Sequence, residues 1–410
     1  MGEKEKPLIK ISDVVFFQEG PGVRNTQYTT KGVKLLNVAN LVDGKIDLST
    51  SNRYISEEEA YGKYNHFLCE AGDFVVASSG IKVEYIDKKM GFIEESMLPL
   101  CMNTSTIRFK VLDKNQLDIR YFMYYLKSRL FKEQLARHIT GSAQLNYGPS
   151  HLKKMTMPLI ALEKQKEMVA VLDKIQIIIS NFQQQLSELD TLIKARFVEM
   201  FGTLRANEKE FEIVTIQDVC SLIKDGTHQT PNYIDDKENG YKFLSSKDVM
   251  SQKIDWTNIK YIPRELHEKI YSRISPQKND ILMSKNGVNY GVAAVNDTDE
   301  IFDIYVSLAL LRPTEKINPI FFRCVINNPE TKWQFDSSIK GIGVPNLHLG
   351  EIKKTKILLP PRSLQNEFAA FVQQIDKLRF GGRKRLTKAK NTKNNNRNTI
   401  TLERSTLYGK

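Results

Sequence analysis

The chain is poor in the residues that mark small stapled or metal-built folds. It has four cysteines and six histidines in 410 residues. Cys69, Cys101, Cys220 and Cys324 are scattered and form no Cys-x-x-Cys, so neither a zinc site nor a disulfide framework is indicated. His66, His138, His151, His228, His267 and His348 show no His-x-x-x-His or other metal-ligand spacing. No apolar run approaches the ~20 residues of a membrane span, and no basic segment leads into an apolar stretch at the start. The expectation is a reduced, cytoplasmic protein.

Catalytic signatures are missing as well. There is no Gly-rich loop ending in Gly-Lys-Ser/Thr and no Gly-x-Ser-x-Gly elbow. Pro360-Pro361 lies between Leu359 and Arg362, not in the Asn/Asp-Pro-Pro-aromatic setting of an amino-methyltransferase. Asp280 with Ser284-Lys285 lacks the second acid of a nuclease cluster. The expectation is a binding or scaffolding chain with no catalytic residue, metal or cofactor of its own.

The formal net charge of +12 is unevenly spread. Residues 381–410 hold nine Lys or Arg against one acid, Glu403, which is +8. Residues 1–380 hold 51 basic and 47 acidic side chains, only +4. Bulk charge is thus a weak argument for nucleic acid, and local features must carry it.

What the chain does have is one long heptad pattern. Residues 163–201 lack Pro and Gly, and apolar side chains fall at Met168, Leu172, Ile175, Ile179, Phe182, Leu186, Leu189, Ile193 and Met200. The steps alternate between four and three, with Arg196 at the one skipped position. That is a coiled-coil seam on a helix about 58 Å long at 1.5 Å per residue. A seam of that kind needs a partner helix.

The chain also repeats itself. Ile11-Ser12-Asp13-Val14 matches Ile216-Gln217-Asp218-Val219 at an offset of 205. Lys34-Leu35-Leu36 matches Lys242-Phe243-Leu244, Tyr54-Ile55 matches Tyr261-Ile262, and Gly72-Asp73-Phe74 matches Asn279-Asp280-Ile281. Later the offset is 200: Gly141 with Gly341, Asn146 with Asn346, Gln165 with Gln365, and Leu172 and Ile175 with Val372 and Ile375. Each copy starts with short β-rich runs such as 74–77, 106–111, 280–284 and 292–295, broken by Gly, Asp, Asn and Pro. A helix is expected over 119–136, with its counterpart over 319–335. Each copy then reaches a Gly/Asn loop, an apolar strand, Pro158 or Pro360-Pro361, and a long helix.

The second long helix should begin near Ser363 and continue the seam with Phe368, Val372 and Ile375. Gly381-Gly382 should end it, leaving a Lys/Asn/Thr-rich tail expected to be disordered. The fold class read from this pattern is α+β: two similar β-rich globular domains with pseudo-two-fold symmetry, joined and spaced by long coiled-coil helices. The expected bounds are 1–160 and 203–360 for the domains, 161–202 for the first spacer helix, 361–380 for the start of the second, and 381–410 for the tail, read as a frameshifted or recombined end.

Several turns carry side chains that can bond base edges or phosphates. Asn and Gln reach adenine in bidentate fashion, and Lys and Arg reach guanine or phosphate. The candidates in the first copy are Arg24, Asn25, Gln27, Ser78, Ser79, Lys82, Ser142, Gln144 and Asn146. In the second they are Thr227, His228, Gln229, Ser246, Lys247, Lys285, Asn286, Asn289, Tyr290 and Asn346. Polar residues with Gly also make ordinary surface turns, so the argument rests on their equivalent places in the two copies.

With these residues in view, the chain resembles the specificity subunit of type I restriction–modification enzymes. The segments DGTHQTP (225–231), NDILMSKNGVNYGVAAV (279–295) and LLPPRSLQNEFAAFVQQID (358–376) carry the likeness, which spans roughly residues 8–380. The resemblance implies two target recognition domains on double-stranded DNA, each reading half of a split sequence. It implies antiparallel long helices that set the spacer, methyltransferase subunits docked beside them, and a motor–nuclease subunit. Those partners would use S-adenosylmethionine, ATP and Mg. The short second helix departs from the family pattern and would leave about half of the first seam uncovered, so weakened assembly or pairing with another chain is expected. Two other readings remain: a methyltransferase or nuclease with embedded recognition domains, and a coiled-coil adaptor without a DNA role.

Overall fold

The computed structural model describes residues 8–138, 146–339 and 345–399, with side chains to residue 397. Contacts divide the chain into two units: residues 1–183 with 385–410, and residues 184–384. Among the described residues no helix is long and apolar enough to cross a membrane.

The units share one topology. In the first, an antiparallel sheet runs Val15–Glu19, Thr106–Val111, Phe74–Ala77, Met90–Phe92 in spatial order. In the second, the order is Cys220–Asp225, Leu308–Pro313, Ile281–Ser284, Ala293–Val295. A three-stranded sheet accompanies each: Tyr54–Ile55, Val33–Leu36, Leu100–Met102 in one, and Lys260–Ile262, Tyr241–Leu244, Phe302–Ile304 in the other. In both, the middle strand pairs parallel to the third. A two-stranded ladder closes each unit beside its long helix, Leu8–Lys10 with Thr156–Pro158 and Glu212–Thr215 with Lys356–Leu359. The middle strands Phe74–Ala77 and Ile281–Ser284 are buried along their whole length, so they read as continuous apolar runs.

The same braces recur in each unit. Buried Gln165 accepts the Asp118 N–H and donates to the Gln116 and Ile160 carbonyls. Buried Gln365 accepts the Asn318 N–H and donates to the Lys316 and Pro360 carbonyls. Gln134 bonds both backbone groups of Thr156, as Gln334 does those of Lys356. Each brace satisfies backbone groups that strand and helix leave over. The helix expected over 119–136 is two helices, Ile119–Leu126 and Arg129–His138, and its counterpart is Pro319–Ile326 and Pro329–Ser338. The breaks have local causes. The Ser128 hydroxyl accepts the Phe131 N–H, and Asn328 caps the helix that Pro329 starts by accepting the Glu330 N–H.

The first long helix is Leu162–Phe201. Leu172, Ile179 and Ile193 are buried, and Met168, Ile175, Phe182, Leu186 and Leu189 are half-buried. Every other residue between Ile179 and Ile193 is exposed, as a heptad seam requires.

The second long helix corrects the sequence reading. It runs Arg362–Thr399, straight through Gly381-Gly382. Phe368, Val372 and Ile375 are buried, and the four-three steps continue through half-buried Arg379, Gly382, Leu386, Ala389, Lys393 and Asn396. Residues 383–399 are therefore helix, not a disordered tail, and the seam is not left uncovered. Two glycines cost a helix about 1 kcal/mol each relative to alanine. Packing offsets that cost. A Cβ on Gly382 would lie 3.2 Å from Leu186 Cδ2, so glycine allows the first helix to approach closely. Ion pairs follow along the two helices: Arg379 with Asp190, and Arg196 with Glu367 at 3.0 Å. The seam past Ile375 escaped the sequence reading because polar and small side chains occupy it.

Candidate nucleic-acid interface

Both units open their loops from one end of the four-stranded sheet, and both use the same devices to do so. The chain leaves the first edge strand at Gly20 in one unit and at Gly226 in the other. The Gly20 N–H donates to the Thr106 carbonyl at 3.0 Å and the Gly226 N–H to the Leu308 carbonyl at 3.1 Å. A Cβ on Gly20 would sit 2.1 Å from the Asn103 carbonyl oxygen, and one on Gly226 would sit 2.2 Å from that of Ile304. Both overlaps are with backbone, which cannot rotate away. Gly226→Ala is expected to lose about 1–3 kcal/mol of stability by overpacking. A loss under ~0.5 kcal/mol in denaturant unfolding would show that the loop relaxes freely.

A second device aims the next loop. Asp280 begins the strand Ile281–Ser284 and is held by Arg312 through two bonds, Nε to Oδ1 at 2.9 Å and Nη2 to Oδ2 at 2.8 Å. In the first unit Arg108 holds Asp73 through one bond, Nη1 to Oδ2 at 3.1 Å. At the far end of the strand, the Ser284 hydroxyl accepts the Val292 N–H and donates to the Asn289 carbonyl, fixing the 285–291 turn. Gly287 and Gly291 adopt positive φ within it.

The structure then brings together segments that lie apart in sequence. Asn286 and Asn346 form an isolated bridge, as Ser79 and Asn146 do in the first unit. The Leu347 N–H donates to the Lys285 carbonyl at 2.8 Å and the Tyr147 N–H to the Ser78 carbonyl at 3.0 Å. In the second unit three further candidates meet at residues 305–307. Thr227 bridges Tyr305, the Lys285 N–H donates to the Ser307 carbonyl, and the Ser246 N–H donates to the Ser307 hydroxyl. Asp225 joins them, taking the Lys285 ammonium and His228 Nε2 each at 3.2 Å.

Not every candidate faces outward. Arg24, Asn25, Lys82, Asn146, His228, Gln229, Lys247, Asn289 and Asn346 are exposed, and Ser79, Thr227, Ser246 and Asn286 are half-buried. Ser78, Lys285 and Tyr290 are buried and bonded inward: Ser78 to Glu19, Lys285 to Asp225, and Tyr290 to Asp336. These three brace the loops and do not form the surface they offer. Burial raises the Glu19 carboxyl above its ordinary range, and the Ser78 hydrogen bond partly offsets this. Half-buried Gln27 spends its amide on Glu59 and Tyr64 and its carbonyl on the Arg24 N–H. Ser142 and Gln144 lie outside the described residues.

Sequence reasoning missed Ser307, which with Asp225 ties the second cluster together, and the two arginine braces; Asp225 begins the 225–231 segment but is not among the individual candidates. Arg108 and Arg312 do recur at a shift of 204, but within strands where a lone Arg gives no signal of its distant partner. The resulting surface is polar and rich in Asn, Gln, Ser, Thr and Lys. Such groups bond base edges and phosphates.

Comparison with known proteins gives the family and the fold. The family described as the type I restriction modification DNA specificity domain matches twice, over residues 9–191 and 208–390. The type I restriction enzyme MjaVIII specificity subunit of Methanocaldococcus jannaschii is 26% identical over 187 residues, 45% of this chain and 42% of that protein. The chain thus spans less than half the length of that relative. The type I restriction–modification S subunit from M. genitalium superposes with a TM-score of 0.54 at 16% identity, covering 97% of this chain and 96% of that one. A chain from a study of complex assembly and conformational transition of the type I system gives 0.54 at 14% identity, covering 97% and 99%. These two likenesses concern the fold.

Proposed function

The chain belongs to the type I restriction–modification DNA specificity family, and from that premise we propose that it is the non-catalytic subunit that reads a two-part sequence in double-stranded DNA. Each unit reads one half. The chain directs methyltransferase subunits, and with them a motor–nuclease subunit, to the site. Those partners supply the chemistry and use S-adenosylmethionine, ATP and Mg. One observation carries the reading: two units of one topology gather equivalent Asn- and Ser-bearing loops, 79 with 146 and 286 with 346, each at the corresponding end of its own four-stranded sheet.

The chemistry fits base reading. An exposed Asn held by a backbone bridge presents a donor and an acceptor in fixed register, which is what the adenine edge requires. The Asp225–His228 pair likewise holds an imidazole at the rim of the second cluster. An embedded methyltransferase or nuclease would need motifs that the sequence does not contain.

Selection of duplexes from a random pool, with the full chain and its methyltransferase partner, tests the reading. Enrichment of a two-part motif with an unread gap is expected. A single contiguous motif, or none, would overturn it. In the same assay Asn346→Ala should cost about 1–3 kcal/mol against the preferred base and relax one position in one half-site only. Uniform weakening across all sequences would assign Asn346 to the phosphates.

A further inference from the structure

The tail half of the second long helix carries a feature that DNA reading by the loops leaves unused. In the first unit Lys127 and Lys393 both approach Tyr124, their ammonium groups 5.6 and 5.9 Å from the ring centroid. Arg397 lies one helical turn beyond Lys393 and reaches Asp87 only at 3.9 Å. All three side chains are half-buried. We propose that Lys127, Lys393 and Arg397 form a binding site for a phosphate-type oxyanion.

The local charges do not balance. Asp87 already takes the Lys132 ammonium at 3.1 Å. Asp173 is held by Arg120 at 2.8 Å and by the Tyr124 hydroxyl at 2.7 Å. Among the described residues the ion pairs of Asp87 and Asp173 go to Lys132, Arg397 and Arg120, none to Lys127 or Lys393; Lys393 contacts the Gln176 side-chain oxygen instead. Burial, then the nearby Lys393 and Arg397 charges, push the Lys127 ammonium down to about 8. Lys393 and Arg397 are lowered too, again chiefly by burial.

Folding does not demand these cations. The two long helices correspond at a shift of 200, so Lys393 and Arg397 occupy the places of Ile193 and Phe197, and Lys127 that of Asn327. In the second unit Ile193 and Phe197 are buried in the core. One copy thus fills the place with two apolar side chains and an uncharged Asn, the other with three partly desolvated cations. Gathering like charges in a half-buried spot is unfavourable unless an anion completes it. A phosphate group offers several oxyanion acceptors to two ammonium groups and a guanidinium, the pairing that charge-assisted hydrogen bonds favour.

Thermal unfolding of the full chain with inorganic pyrophosphate, against sodium chloride at equal ionic strength, tests the site without any DNA. Pyrophosphate should raise Tm beyond the salt control. Lys393→Ile, which copies Ile193, should keep or raise the basal Tm and shift the half-maximal pyrophosphate concentration up by about tenfold, the loss of one charge-assisted contact. Lys127→Met should do the same. No shift in the parent chain, or equal shifts in parent and variants, would overturn the proposal. A duplex lacking the recognition motif then distinguishes the source of the phosphate. If it removes the pyrophosphate effect, the site takes backbone phosphates; if it does not, the site takes a free anion. Neither outcome depends on whether the loops read sequence.

Discussion

Replacing residues 8–160 with the corresponding segment of a relative should change one half of the methylated sequence and leave the other half intact. The basis is where the reading loops are rooted. The exposed candidates Arg24, Asn25, Lys82 and Asn146 and the Ser79–Asn146 bridge all fall inside this segment. The second cluster, from Asp225 to Asn346, draws no partner from it among the bonds described above. The junction should also tolerate the exchange. Gln165 lies outside the segment and holds it through backbone groups of Gln116, Asp118 and Ile160, which any side chains there would still present. Methylome sequencing of a host carrying the chimaera and the methyltransferase reads the outcome as all or nothing at each half-site. A change in both halves would mean that the two units do not read independently. No change would remove the first unit from recognition altogether.

How far the sequence anticipates the structure depends on which interactions are periodic. The first long helix is legible because apolar residues at heptad spacing have one low-energy arrangement, and every position from Met168 to Ile193 lies on the seam as expected. The second helix continues that spacing with Arg379, Gly382, Leu386, Ala389, Lys393 and Asn396. Hydropathy cannot see such a seam, so in sequence the pattern stops at Ile375 and the glycines read as a terminus. The loop candidates could be placed in segments because Asp73 and Asp280 begin matched strands. Their pairing could not be read. Ser79 meets Asn146 across 67 residues and Asn286 meets Asn346 across 60, and an isolated bridge leaves no periodic trace. Ser78, Lys285 and Tyr290 look in sequence like their exposed neighbours, because burial of a polar side chain is decided by partners elsewhere in the chain.

Arg312→Met should destabilise the second unit by about 3–5 kcal/mol, the cost of leaving a buried charge without its partner. Asp280 is 1% exposed and receives both arginine bonds, with the Gln277 N–H as its other donor. The arginine also donates to the Ser275 carbonyl at 2.7 Å, so its removal strands a second acceptor. Arg120→Met, which breaks an ion pair on a more exposed face with Asp173, should cost under about 1 kcal/mol and serves as the comparison. Urea unfolding of the full chain, followed by separate probes in the two units, would register the difference as loss of the second unit first. The double variant Arg312→Met with Asp280→Leu should recover much of the loss, since an apolar pair of similar volume avoids the orphaned carboxylate. Its DNA binding discriminates further. Asp280 sets the start of the strand whose far end carries Lys285 to Asn289, so stability restored without Asp280 should come with weaker half-site selection if the carboxylate also fixes the strand's register. If selection returns together with stability, the ion pair serves folding alone, and the aim of the loop is fixed by Ser284 and the Asn286–Asn346 bridge.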